Sequence, residues 1–155
     1  MTYLVAYYSR TGNNRAIAEQ IAKLLSADID EIIDKKKRQG KVGWLLAGRD
    51  SMSGNLTEIE FKKNPQDYDT IIIGAPIWAG NPIPPIRTYL QNVDLSGKRV
   101  AFFICAKSDG FNEVFPQQVA LIPNSEHIGN FGIREDRFKN EDYSADLQAF
   151  IEKVK

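Results

Sequence analysis

Tyr3-Leu4-Val5-Ala6-Tyr7-Tyr8-Ser9-Arg10-Thr11-Gly12-Asn13-Asn14 is the stretch that decides how this chain is read. Its first half is a short, nearly continuous apolar run, the pattern of a strand covered on both faces. Its second half turns to hydroxyls, amides and one glycine, after which Ile17, Ile21, Leu24 and Leu25 fall on one helical face. A buried strand thus passes through a polar turn directly into an amphipathic helix. Such a turn can hold a phosphate, because the first N–H groups of a helix have no partner within it and lie at the positive end of its dipole. Ser9 and Thr11 add hydroxyl donors, Asn13 and Asn14 add amide donors, and Gly12 lets the main chain approach closely. A bare helix cap needs one such side chain.

Working outward, Thr70 to Ala75 and Arg99 to Ile104 repeat the apolar pattern and are expected to be central strands with the first. Asp28 to Ile33 and His127 to Ile133 mix polar with apolar residues, which suits sheet edges. Between them lie helical patterns. One begins at Pro84-Pro85 and carries Ile86, Tyr89 and Leu90 inward, and another starts near Glu113. A last one carries Leu147, Phe150, Ile151 and Val154, with Asp142 or Ser144 as its cap. In residues 34–65, Val42, Leu45, Leu46 and Arg49 suggest a short helix, and Leu56 to Phe61 a minor extended piece. Strands alternating with helices predict right-handed crossovers between parallel strands, hence an α/β three-layer, doubly wound sheet.

The chain of 155 residues is the size of one domain, expected to span 1–155. Its 20 basic and 20 acidic residues balance, so nothing global favours nucleic acid or a membrane surface. No apolar stretch approaches the roughly 20 residues that span a bilayer. Cys105 is the only cysteine, so no internal disulfide forms, and with no signal-peptide pattern after Met1 the expected location is cytoplasmic. Cys105 reads as a small strand-end residue, and His127, the only histidine, makes a metal site improbable.

In sheets of this kind ligands bind beyond the carboxyl ends of the strands, where the strand order reverses. That rule selects three loops: the turn of Ser9 to Asn14; Pro76-Ile77-Trp78-Ala79-Gly80-Asn81; and Ala106-Lys107-Ser108-Asp109-Gly110-Phe111. Trp78 and Phe111 offer aromatic faces on which a flat ligand could stack. A phosphate turn beside an aromatic slot implies a flat phosphorylated cofactor. Other occupants of such a sheet fail on residues: a phosphoacceptor receiver needs acids where Tyr8-Ser9 and Ala75-Pro76 stand, and neither Gly-x-x-x-x-Gly-Lys-Ser/Thr nor Gly-x-Gly-x-x-Gly follows the first strand.

Tyr8 to Asn14, followed by Pro76-Ile77-Trp78-Ala79-Gly80, resembles the flavodoxin family, whose members bind FMN non-covalently. The resemblance implies a five-stranded parallel sheet in the order 2-1-3-4-5 and one FMN. It would place the phosphate on Ser9, Arg10, Thr11, Gly12, Asn13 and Asn14. Pro76 to Asn81 would lie along one side of the ring, and Ala106 to Phe111 along the other. Gly80 either serves a tight turn or lets the peptide near the flavin N5 reorient. The implied role is a small electron carrier between redox partner proteins, a monomer or weak homodimer, with no residue acting as acid, base or nucleophile. The alternative is an FMN-dependent reductase that takes hydride from a nicotinamide cofactor and passes it to a quinone or similar acceptor. Charge neutrality, unusual beside acidic carriers of the family, and the basic run Lys35 to Lys41 keep that alternative open. The basic run is either a solvated face or a docking patch for an acidic partner or a nicotinamide phosphate.

Overall fold

The computed structural model describes residues 1–36 and 56–155, so the helix expected around Val42 to Arg49 lies outside them. Its strands are β1 (Tyr3–Tyr7), β2 (Asp28–Glu31), β3 (Ile33–Asp34), β4 (Ile59–Glu60), β5 (Thr70–Gly74), β6 (Arg99–Ala106) and β7 (Glu126–Arg134). The helices are α1 (Asn13–Leu25), α2 (Pro84–Asn92), α3 (Phe111–Ala120), α4 (Glu135–Asn140) and α5 (Ser144–Val154). Five strands pair in parallel in the order β2-β1-β5-β6-β7. Counted within that sheet alone, this is the expected 2-1-3-4-5. β3 and β4 form a separate antiparallel pair, Ile33 opposite Glu60, so Ile33 leaves the edge strand on which the sequence placed it.

Alternation along each central strand feeds two cores. Leu4, Ala6, Ile71, Ile73, Val100, Phe102 and Ile104 pack under α2 and α3, against Ile86, Tyr89, Leu90, Val114 and Phe115. Val5, Tyr7, Ile72, Ala101, Phe103 and Cys105 pack under α1 and α5, against Ile17, Ile21, Leu147, Phe150 and Ile151. Each fully buried aliphatic or aromatic side chain contributes about 1.5–3 kcal/mol relative to exposure. Burial on both faces is why these runs read as continuously apolar.

Four local expectations are adjusted. Leu24 is 45% exposed, because α1 buries Asn14, Ile17, Ala18, Ile21 and Leu25, a stripe repeating every three to four residues that leaves Leu24 on its flank. α3 begins at Phe111 rather than near Glu113, since the backbone of Gly110 already accepts the first helical bonds. At α5 the cap position is Tyr143, with no side-chain cap, because the two expected candidates are spent on each other: the Asp142 carboxylate accepts from both the N–H and the hydroxyl of Ser144, at 2.9 and 2.6 Å. α4 carries no apolar stripe and no buried residue, and the sequence did not announce it. Among the described residues no helix is long and apolar enough to cross a membrane.

Gly74 ends β5 where only glycine fits: a Cβ there would stand 1.8 Å from Cζ of Phe103, whose ring is fully buried. Gly74→Ala is therefore expected to destabilise the fold by about 1–3 kcal/mol through overpacking. Urea denaturation should show a lower midpoint at unchanged slope.

Candidate functional site

The carboxyl ends of β1, β5 and β6 open into one cleft of about 230 Å³. Its walls are Arg10, Thr11, Asn13 and Asn14 from the turn after β1, Pro76, Ile77, Trp78 and Ala79 after β5, and Cys105, Ala106, Lys107 and Ser108 at the end of β6. Glu135, the first residue of α4, closes the remaining side. The cleft is more apolar than polar along its lining, as expected of a pocket for a flat organic ligand with a few placed polar groups.

The first turn is built to stand open. Gly12 takes φ +96° as the cap of α1, with nothing within 4 Å of where a Cβ would lie. Its N–H donates to Ser9 Oγ at 3.0 Å, so the Ser9 hydroxyl holds the turn in shape. No side chain caps α1, and its first turn holds no acidic residue. The amides of Asn13, Asn14 and Arg15 are thus the orphan donors at a helix start, available to an anion. The Asn14 side chain, expected to donate to a phosphate, is committed elsewhere: it is 3% exposed and exchanges two 3.0 Å hydrogen bonds with the backbone of Cys105. Its contribution to an anion is its backbone N–H.

The second loop folds back on itself. Asn81 N–H donates to the Trp78 carbonyl at 3.2 Å, and Ala79 (φ +53°) and Gly80 (φ +70°) occupy the two central positions of a turn of the left-handed type. Gly80 suits that conformation; Ala79, carrying a Cβ, is strained in it. The Asn81 side chain donates to the Ala79 carbonyl at 2.8 Å, fixing the turn from inside. Trp78 is 6% exposed, forms part of the cleft wall, and meets Tyr8 edge to face with ring centroids 5.6 Å apart.

In the third loop the predicted residues separate. Ala106, Lys107 and Ser108 face the cleft. Asp109 instead pairs with Arg134 at 3.6 Å, and Gly110 lets Ile77 approach to 3.1 Å of a would-be Cβ, bringing the second and third loops into contact. The Phe111 ring lies over Gly132 of β7 and beside Phe115, away from the cleft wall, because Gly132 leaves a ring-sized gap on the strand. Of the two aromatic candidates, only Trp78 lines the cleft.

Cys105 and Glu135 join the wall although the sequence reading did not assign them to it. The carboxyl-end rule applies to β7 as it does to β1, β5 and β6, and applying it to the last strand would have reached Glu135. A hydrogen bond from Lys139 at 2.7 Å holds the Glu135 carboxyl below its ordinary range, with the Lys107 charge and the Asn13 side chain adding to the effect. A fixed negative charge therefore sits at the rim. Burial pushes the Cys105 thiol up to about 12, the Glu135 charge adding and Lys139 opposing. Lys35, at the start of the basic run, pairs with Glu60 at 3.5 Å; Lys37, Arg38 and Lys41 lie outside the described residues.

A doubly wound sheet with an anion-ready helix start and an aromatic wall at its switch point has the form that suits a flat, phosphorylated ligand. The comparisons agree on the class. The model of the family described as Flavodoxin matches residues 2–130, and the chain belongs to that family. A flavodoxin from Maridesulfovibrio salexigens is 27% identical over 112 residues, 68% of this chain and 64% of that protein. An uncharacterised Archaeoglobus fulgidus protein is 29% identical over 107 residues, 69% of this chain and 66% of its own. Each alignment thus spans slightly under two thirds of the relative's length. Among solved structures, a Lactobacillus acidophilus flavoprotein in complex with FMN superposes with a TM-score of 0.73 at 23% identity, covering 96% of this chain and 97% of its own. A putative flavoprotein from Bacteroides uniformis gives 0.79 at 24%, covering 96% of each chain. These two share the fold.

Two measurements check the geometry. Ala79→Gly should relieve the left-handed strain and stabilise the protein by about 0.5–1 kcal/mol, read as a melting temperature a few degrees higher. For Cys105 the folded thiol titrates above its ordinary 9.0. Its contribution to stability is therefore complete below pH 9 and is lost as pH rises towards 12, where the unfolded chain releases the proton first. The urea midpoint of Cys105→Ala should fall less steeply than that of the parent chain between pH 9 and 11.

Proposed function

We infer that this flavodoxin-family protein holds one FMN in the cleft and works as a small electron carrier between redox partner proteins, as a monomer or weak homodimer. The observation that carries this reading is the meeting, at one strand-end rim, of an uncapped helix start with the wall of Trp78. The residues suit the group. The open turn at Gly12 and the amides of Asn13 to Arg15 accept a phosphate, with Thr11 and Arg10 beside them. The apolar stretch Pro76 to Ala79 and the opposite wall of Ala106 to Ser108 admit a ring. FMN supplies the redox chemistry when bound; the chain's residues anchor it, exclude water and set which oxidation state is held best.

The rim charges bear on that last task. Glu135, ionised and paired with Lys139, shares the cleft lining with Arg10 and Lys107 and is the one acid there among the described residues, so the site is no cluster of acids. A site of this kind makes extra negative charge on the ligand less costly than a cluster of acids would.

Titrating the apoprotein with FMN is expected to quench flavin fluorescence to saturation at one equivalent. Thr11→Ala should weaken binding by about tenfold, the loss of one hydrogen bond to a charged group. NADH or NADPH added alone should leave the flavin oxidised; rapid bleaching would favour the reductase that uses a nicotinamide cofactor directly. The absence of saturable quenching would overturn the FMN reading itself.

A further inference from the structure

We propose that Asn14 is a positioning residue: its side-chain amide clasps the phosphate turn to the loop after β6, so that the two walls of the cleft are held at one spacing. The proposal rests on the FMN reading for its consequence, though not for its geometry. Asn14 Nδ2 donates to the Cys105 carbonyl and Asn14 Oδ1 accepts from the Cys105 N–H, both at 3.0 Å, between positions 91 residues apart. The side chain is 3% exposed, so water does not compete for these bonds.

The reason the clasp exists lies in the sheet. In a parallel ladder the N–H and C=O of one residue face the same neighbour. The Phe103 carbonyl accepts from Ala75 N–H at 3.2 Å, the last bond between that side of β6 and the chain leaving β5. Cys105, two residues on, faces the same side after β5 has departed, while β6 continues to Ala106 beside β7. Its two backbone groups would be buried without partners there, which folded chains avoid. A carboxamide offers one donor and one acceptor in the arrangement of a peptide group. Asn14 therefore stands in for the missing strand, and it does so from the first turn of α1.

The consequence is mechanical. Asn13, next to the clasp on one side, and Ala106 to Ser108, next to it on the other, are opposite walls of the cleft. Holding a phosphate in the turn then also holds the third loop. Alanine at position 14 would satisfy neither of the two Cys105 groups, and the loop would lose its tether while the helix remained.

The test uses Asn14→Ala and Asn14→Asp in the full chain, with FMN affinity and amide hydrogen exchange of the apoprotein as the two readouts. For Asn14→Ala the amides of Cys105 to Asp109 are expected to exchange about tenfold faster, and the Kd for FMN to rise about tenfold, with β1 and β5 exchange unchanged. Asn14→Asp separates the clasp from a helix cap by the sign of its pH response. An ionised carboxylate is favourable at a helix start, so a cap would survive at neutral pH. A clasp would fail there, because the carboxylate cannot donate to the Cys105 carbonyl, and would return in mild acid, where the protonated group again has one donor and one acceptor. The charges nearest Cys105 are Glu135 and Lys139, paired at 2.7 Å, with Lys107 on the loop; Arg15 on α1 is paired with Glu31, so none supplies the missing donor. Parent-like exchange at Cys105 to Asp109 in Asn14→Ala, or faster exchange confined to residues 13–18, would overturn the proposal. So would an unchanged Kd when the parent chain binds FMN. If the parent chain fails to bind FMN, the functional reading falls and the exchange measurement still decides the clasp.

Discussion

Parallel pairing of β1, β5 and β6, each covered on both faces, is the constraint on which the rest depends. Because the three strands run the same way, their carboxyl ends finish along one rim, and the loops that follow have to leave from it. They do not finish level. β1 and β5 pair as far as Tyr7 and Gly74, whereas β6 runs on to Ala106 with β7 alongside. The cleft lies at the step between a short and a long strand, with Cys105 and Ala106 of the longer one in its wall. Gly74 and Phe103 mark the place: they are register partners, and the missing side chain of one leaves room for the ring of the other just below the site.

A step in a sheet leaves unpaired backbone, and the chain answers with side chains that mimic backbone. Ser9 takes the Gly12 N–H, Asn81 takes the Ala79 carbonyl, and Asn14 takes both groups of Cys105. Asn14, with both ends of its amide engaged, is withdrawn from direct contact with a ligand, whereas Ser9 accepts from Gly12 and keeps its hydroxyl proton to donate. What stays available is chiefly backbone N–H at the start of α1 and the hydroxyls of Ser9 and Thr11 with Arg10 beside them, and the indole of Trp78 with the apolar edge around it. A phosphate and a ring are thus met by different parts of the rim, joined through the sheet beneath them.

Much of this architecture is visible in the residues. The runs around Val5, Ile72 and Phe102 are apolar throughout because both faces are buried, and their alternation with the stripe of Ile17 and Ile21 or of Phe150 and Ile151 identifies the crossovers. The phosphate turn is legible because several donors crowd a strand-to-helix junction, more than a cap requires. The roles of Asn14, Phe111 and Glu135 were not legible, for three different reasons. An asparagine's amide can bond any exposed peptide group, and the one it meets lies 91 residues away. A phenylalanine at a helix start turns to whichever side offers space, and here Gly132 on the neighbouring strand offers it. Glu135 opens a polar helix with no apolar period to announce it, so its place at the cleft depends on where β7 ends.

By itself, then, the amino-acid order determined the layers and the three loops that face a ligand, because periodicity and turn chemistry are local properties that act wherever the chain lies; the strand order came from the family resemblance. Tertiary structure alone decided which of the polar and aromatic residues on those loops face the cleft and which brace it. That choice turns on distances between segments far apart in the chain, on the overhang of β6, from Ile104 to Ala106, beyond β5 and on the gap above Gly132. Neither quantity exists until the sheet has formed.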